Sequence, residues 1–121
     1  YWKTGAPVAF SSDVTVLPHL VGDGMMNPFI GIEIGMRRLE VGEMDEKWVD
    51  DPAEKLTLDQ LLTGYTINGA KQLHLEKTKG SIEVGKDADY LVLKENLLEI
   101  PAEGMKNVVP EEVFFSGVKM N

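Results

Sequence analysis

The carboxylate of Asp13 is the side chain in this sequence whose position best suits catalysis. It follows the apolar run at residues 8–10 and the polar pair Ser11 and Ser12. A short continuous apolar run is typical of a strand covered on both faces, and such a strand delivers polar groups at its carboxyl end. From the residues alone, the favoured interpretation is that Asp13 caps the next turn by accepting backbone N–H groups.

The two histidines, His19 and His74, are far apart in the sequence. A catalytic zinc ion usually has three protein ligands, so two distant histidines do not form a site by themselves. His19 lies in the predicted loop after Asp13, which makes it a candidate substrate-binding residue. His74 lies near the end of a predicted helix, where an imidazole beside the last carbonyl groups is the ordinary structural explanation.

The pair Arg37 and Arg38 is suited in principle to binding a substrate carboxylate. Paired basic residues on a short helix are more often solvated or ion-paired with nearby acids, here Glu33, Glu40 or Glu43. We therefore interpret both arginines as structural.

Charge and composition exclude several classes of function. The chain has 121 residues, a net charge of −8 and no cysteine. Thiolate nucleophiles and cysteine-ligated zinc are thereby excluded, and without a basic cluster neither nucleic acid nor an anionic membrane surface is an expected partner. The sequence has no apolar run near the roughly 20 residues that span a bilayer, so we expect a soluble, cytoplasmic protein.

A helix is predicted over residues 57–73, with a shorter one around residues 30–39. Thr57 is a suitable N-cap and Gln60 its capping-box partner. The apolar residues at helical spacing after them are Leu58, Leu61, Leu62 and Tyr65. Asn68 and Gly69 weaken the middle of this helix and are expected to kink it.

The remainder of the chain has the pattern of β-structure. We predict a short edge segment at residues 80–85, a strand at 89–94 and a terminal hairpin that turns at Ser116 and Gly117. A loop is predicted between Pro101 and Pro110. Asp87 and Asp89 precede the strand at 89–94, and we interpret them as acceptors for backbone donors of a turn.

Several of these segments together resemble the C-terminal part of metal-dependent amidohydrolases. The most specific is GSIEVGKDAD at residues 80–89, which runs into YLVL and closes with FFSG at residues 114–117. It is similar to the closing β-sandwich signature of that superfamily, nearest to the branch that includes N-substituted formamide deformylases. The other matching segments are Ser12-Asp13, Asn27-Pro28, Gly31-Ile32, Arg37-Arg38, Leu56-Thr57-Leu58 and residues 65–70.

The resemblance implies a (β/α)₈ barrel flanked by a small β-sandwich, and hydrolysis of amide-type C–N bonds with one or two divalent metal ions. A barrel alone needs roughly 250 residues. The expected fold is therefore an α+β fragment, with the last barrel strand and helix in residues 1–79 and part of the β-sandwich in residues 80–121. The histidine pair that the family carries after its first barrel strand has no counterpart in this sequence.

The resemblance also implies a role for Asp13. In the family, an aspartate at the end of the last barrel strand contacts the metal, takes a proton from the attacking water and passes it to the leaving amine. Val14 and Thr15 stand where this branch commonly has Trp and Pro, so the adjoining pocket departs from the pattern. We expect a divalent metal, zinc, in a full-length parent and none in these 121 residues, which should be inactive alone.

The expected partner is a small amide-type substrate, and self-association through an exposed barrel-facing surface is a further expectation. The rival hypothesis is a non-catalytic module that binds or regulates another protein and keeps this scaffold. The length of the reading frame distinguishes them, because the enzyme needs roughly 300 further residues upstream.

Overall fold

A computed structural model describes residues 2–11, 27–39 and 52–120. Three helices precede a small antiparallel sheet, which agrees with the predicted α+β class. None of the helices in these ranges is long and apolar enough to cross a membrane. The elements are α1 (Pro28–Arg37), α2 (Leu58–Tyr65), α3 (Ile67–Gln72), β1 (Tyr90–Leu93), β2 (Pro110–Phe115), β3 (Val118–Lys119) and 3-10 helices at Trp2–Thr4, Pro52–Glu54, Leu97–Glu99 and Ala102–Asn107.

Helix α1 starts earlier than its periodicity predicts because Asn27 and Pro28 form its beginning. The Asn27 side-chain oxygen accepts a hydrogen bond from the Phe29 N–H at 3.0 Å. Pro28 has no N–H to satisfy and its φ angle suits the first helical turn. The helix ends at Arg38, which has a φ of 59° and donates its N–H to the Ile34 carbonyl.

Helix α2 begins with the predicted capping box. The Thr57 hydroxyl accepts from the Gln60 N–H at 3.2 Å, and the Gln60 side chain accepts from the Thr57 N–H at 2.9 Å. These two bonds satisfy backbone donors that a helix start leaves without partners.

The prediction of one helix kinked at Asn68 and Gly69 is wrong about the position of the break. The structure has two helices, separated at Thr66, whose φ and ψ are −118° and −96°. The Thr66 hydroxyl donates to the Leu62 carbonyl at 2.6 Å. A threonine that bonds back to the preceding turn competes with the helical backbone pattern, which accounts for a break one turn earlier than glycine content suggests.

The core lies between α1, α2 and the segment around Ala102–Asn107. Its buried members are Phe29, Ile32, Leu58, Leu61, Met105 and Val108. Among these apolar groups lies one charged side chain, Glu33, which is fully buried. Its carboxylate receives Arg37 at 3.2 Å, the Lys106 backbone N–H at 3.0 Å and the Lys106 ammonium at 3.4 Å. The charge is thus paired and hydrogen-bonded, as burial requires.

The sheet has the order β1-β2-β3 and is antiparallel throughout. Tyr90 lies opposite Phe114, and their rings stack with centroids 4.5 Å apart. The predicted hairpin turn is confirmed, since Ser116 and Gly117 have φ angles of 49° and 78° between β2 and β3. Two consecutive left-handed residues match the right-handed twist of the flanking strands.

Three predicted segments differ in the structure. Residues 80–85 form turns rather than an edge strand, and the predicted loop before Pro110 contains the 3-10 helix Ala102–Asn107. Residues 8–10 are not part of the described sheet and pack against α2. The turn at 80–85 is held by polar side chains: the Ser81 hydroxyl bonds to Glu83, and Lys86 reaches both. Hydrogen bonding to Ser81 and pairing with Lys86 lower the pKa of Glu83.

Gly80 is placed where the turn meets α3. Its φ is 89°, and a Cβ there would lie 2.6 Å from the Ala70 Cβ and 2.9 Å from the Ile67 Cα. Ala70 and Gly80, both small, thus allow the helix and the turn to approach closely at this point. Gly85 has a similar φ of 94° but open space around it.

We expect Gly80→Ala to destabilise the protein by about 1–3 kcal/mol more than Gly85→Ala. Both substitutions force a left-handed backbone on alanine, so the difference reports the steric contact with α3 alone. Urea denaturation of the two variants measures it. Equal losses of stability would contradict the close contact.

We expect Glu33→Ala to lower the free energy of unfolding by about 3 kcal/mol, because it removes the fully buried carboxylate that accepts hydrogen bonds from Arg37 and Lys106. Glu54→Ala is the control, since Glu54 pairs with Arg38 at 3.1 Å on the surface. That loss should stay below about 1 kcal/mol. Similar losses in urea denaturation of both variants would refute a special role for the buried pair.

Candidate functional site

The predicted catalytic residue lies just beyond the first range of residues that the structure describes. Asp13 and His19 lie outside the described residues, and the first described range ends at Ser11. The structure describes residues 8–11, which precede Asp13 in the sequence, and the groups that bind residues 8–10.

Residues 8–10 are attached by hydrogen bonds to the junction of α2 and α3. The Phe10 N–H donates to the Gly64 carbonyl at 3.3 Å. The Asn68 side-chain amide donates to the Val8 carbonyl at 3.0 Å. Asn68 lies in the first turn of α3 and is only 6% exposed. The sequence pattern at Asn68 predicts only a weakened helix and gives no sign of this contact, which joins residues too distant for any local pattern to pair.

The ring of Phe10 lies directly over the backbone of Gly64. A Cβ at Gly64 would come within 2.3 Å of Phe10 Cδ2, so only glycine leaves room for the ring. Phe10 also packs on Tyr65, with ring centroids 5.5 Å apart. Burial raises the pKa of the Tyr65 hydroxyl, so this group stays neutral at physiological pH.

A second polar cluster joins the turn before β1 to the hairpin. Lys79 Nζ lies 2.9 Å from Asp87 Oδ2 and 2.5 Å from Asp89 Oδ2. The other Asp89 oxygen accepts the Ser116 N–H at 2.7 Å, and Lys79 Nζ lies 5.0 Å from the centre of the Phe115 ring. Asp89 accepts a backbone donor, as interpreted, but the donor belongs to the turn between β2 and β3 and not to the turn before β1. The ion pairs of Asp87 and Asp89 with Lys79 were not foreseen.

The cluster shifts the pKa values of its members in opposite directions. Hydrogen bonds to Asp89 and Asp87 raise the pKa of Lys79, whereas Lys79 and the Ser116 N–H lower the pKa of Asp89. Lys79 and Asp89 are therefore charged at neutral pH and form an ion pair. We interpret this ion pair as structural.

The other polar residues singled out in the sequence have ordinary surroundings. Arg37 pairs with Glu33, as predicted, and Arg38 pairs with Glu54. Glu40 and Glu43, the other acids proposed as partners, lie outside the described residues. His74 follows α3 with a φ of 58°, and its backbone N–H donates to the Lys71 carbonyl.

Within residues 2–11, 27–39 and 52–120, no group of three or more His, Cys, Asp or Glu side chains is arranged to hold a metal ion. The described residues do not fit a metal centre by themselves.

The chain matches the Amidohydrolase family over residues 1–119. The chain belongs to the amidohydrolase family. Its structure also superposes on the crystal structure of an amidohydrolase from Thermotoga maritima MSB8 with a TM-score of 0.63 and 29% identity, covering 99% of this chain and 24% of that one. The family assignment thus rests on both sequence and fold.

Two relatives of this amidohydrolase chain are named imidazolonepropionase. The protein from Thermoplasma volcanium is 42% identical over 60 residues, which are 49% of this chain and 15% of that protein. The protein from Bacteroides thetaiotaomicron is 46% identical over 39 residues, which are 32% of this chain and 9% of that protein. These matches cover only a small part of each relative's length.

The shifted pKa values predict how the Lys79 and Asp89 pair responds to pH. Because folding lowers the pKa of Asp89, the pair adds stability above the unfolded value of about 3.9, and this is lost as the pH falls through the folded value. Because folding raises the pKa of Lys79, its share is present below about 10.4 and is lost as the pH rises through the folded value.

We expect Asp89→Asn to melt at a lower temperature than the unchanged protein at neutral pH, because the amide still accepts the Ser116 N–H but carries no charge for Lys79. The difference should shrink as the pH falls through the lowered pKa of Asp89, because protonation removes the charge that pairs with Lys79. Melting curves across this pH range measure it. Glu111→Gln, an exposed acid on β2, is the control, and a gap that does not depend on pH would contradict the ion pair's role.

Proposed function

We propose that this chain forms part of a metal-dependent amidohydrolase that hydrolyses a non-peptide, amide-type C–N bond with Asp13 as a catalytic residue. The observation that carries the proposal is the family match over residues 1–119, which spans the position of Asp13. The attachment of residues 8–10 to the helix junction supports the proposal, because a catalytic carboxylate has to be held in a fixed position.

The chemistry assigned to Asp13 is proton transfer. Its carboxylate accepts a proton from the attacking water and returns a proton to the nitrogen that leaves when the C–N bond breaks. A divalent metal, for which zinc is our proposal, would supply Lewis acidity when bound in the full-length protein. The preceding apolar residues suit the end of a barrel strand, where active sites of (β/α)₈ barrels gather.

The substrate is proposed to be a small amide of one of two kinds. The resemblance at residues 80–89 and 114–117 favours N-substituted formamides, whereas the relatives named imidazolonepropionase favour a cyclic amide. Both present a carbonyl carbon bonded to nitrogen, so the same proton transfer serves either. His19 is proposed to contact the substrate.

The 121 residues alone are proposed to be inactive, since the described part supplies no set of metal ligands. The rival proposal, a non-catalytic module on the same scaffold, predicts no hydrolysis by the longer protein either. The experiment below separates the two.

We expect Asp13→Asn to lower kcat for amide hydrolysis by about 10²–10⁴-fold, because the amide cannot act as general base. The assay uses the product of the complete reading frame that contains this chain, called the full-length protein below, with N-substituted formamides and imidazolonepropionate as substrates. Zinc content per chain is measured for each variant, and Glu111→Gln serves as the surface control.

Removal of the metal with a chelator should abolish the activity of the full-length protein, and zinc should restore it. Retention of the unchanged rate by Asp13→Asn would refute the catalytic role. Absence of hydrolysis of both substrate classes by the zinc-loaded protein would favour the non-catalytic module.

A further inference from the structure

The Asn68 side chain is a buried amide with a contact across 60 residues of sequence. A buried amide loses hydration, and the loss is offset only when it finds partners. Its NH₂ group donates to the Val8 carbonyl at 3.0 Å, which joins α3 to the segment at residues 8–10. The bond therefore specifies where one particular backbone group of that segment lies.

The hydrogen bond donated by Phe10 and the one accepted by Val8 together follow the pattern of a β-ladder. Val8 and Phe10 are two positions apart in the sequence. The Val8 carbonyl and the Phe10 N–H are therefore the acceptor and the donor that a neighbouring strand would satisfy in a ladder. Here Asn68 supplies the donor and the Gly64 carbonyl supplies the acceptor. The junction of α2 and α3 thus takes the place of a neighbouring strand for these residues.

Gly64 adds a steric constraint on the same segment. The Phe10 ring occupies the space where a Cβ at Gly64 would lie, 2.3 Å from Phe10 Cδ2. The segment is consequently held by two hydrogen bonds and one close ring contact, all from a short stretch of helix. Phe10 precedes Asp13 by three residues in the sequence.

We propose that Asn68 is a positioning residue for hydrolysis: its amide holds the Val8 carbonyl, and Val8 precedes the proposed catalytic residue Asp13 by five residues in the sequence. This inference rests on the proposed function of Asp13. Asn68 acts through the backbone and takes no part in bond breaking. A displacement of about 1 Å at a catalytic group can cost about 10²-fold in rate, so loss of this one donor should be visible in kcat.

The test uses Asn68→Asp in the full-length protein, because aspartate keeps the size of the side chain and its ionised form lacks the N–H donor. We expect kcat to fall by about 10²-fold with KM within about threefold, since positioning acts on the reacting geometry rather than on substrate affinity. Zinc content and the circular dichroism spectrum should stay unchanged. Asn96→Asp, the same substitution at the N-cap of Leu97–Glu99, is the matched control and should keep the unchanged kcat.

Gly64→Ala is the second variant, and it displaces Phe10 without removing the Asn68 amide. It should lower kcat in the same way, and it decides the question if Asn68→Asp does not fold. Each variant is assayed at a temperature where circular dichroism shows it folded. A folded, zinc-loaded Asn68→Asp with kcat within about threefold of the unchanged protein would overturn the proposal. So would an equal loss in Asn96→Asp or, if Asn68→Asp does not fold, an unchanged kcat in Gly64→Ala.

Hydrogen exchange separates failure of this inference from failure of the proposed function. If the unchanged full-length protein hydrolyses no amide, the proposed function fails, but exchange at the Phe10 N–H still reports the contact. Faster exchange in Asn68→Asp than in Asn96→Asp supports the positioning contact. Equal exchange in the two variants overturns it.

Discussion

The buried carboxylate of Glu33 is the interaction on which the arrangement of the described core depends. A charge removed from water is tolerated only when its partners are in place, and Glu33 obtains them from its own helix and from Lys106. The bond to the Lys106 backbone joins Ala102–Asn107 to α1, and the same two elements contribute Phe29, Ile32 and Met105 to the apolar core. Hydrophobic burial supplies most of the stability of such a core, whereas the paired charge selects one geometry for it.

Polar contacts play the same part at the other junctions. Asn68 joins α3 to Val8, and Asp89 joins the start of β1 to the hairpin turn at Ser116. Each contact satisfies a backbone group that would otherwise lack a partner, and each connects segments far apart in the sequence. The described part of this amidohydrolase chain is therefore assembled by a few specific side-chain to backbone bonds around a small apolar core.

Local signals in the sequence were sufficient where local physics decides the structure. The capping box at Thr57 and Gln60 and the hairpin turn at Ser116 and Gly117 depend on neighbouring residues only, and both are confirmed. The prediction of an edge strand at residues 80–85 was wrong, because the alternating apolar residues are exposed; Ile82 is 87% exposed. Hydrogen bonds between polar side chains stabilise a turn there instead. The break between α2 and α3 was misplaced because the Thr66 hydroxyl, rather than glycine, interrupts the helix.

The sequence by itself indicated the family and the α+β class, because motifs and periodicity are contained in short stretches of chain. Its choice of Asp13 as the catalytic residue stays a prediction. Only the tertiary structure decided which polar groups are buried and what they hold. Glu33 and Lys106, or Asn68 and Val8, carry no mutual signal in one sequence, since their partnership arises from folding that brings distant residues within hydrogen-bonding distance. Burial then makes those contacts specific, because a polar group without water needs the one partner that the fold provides.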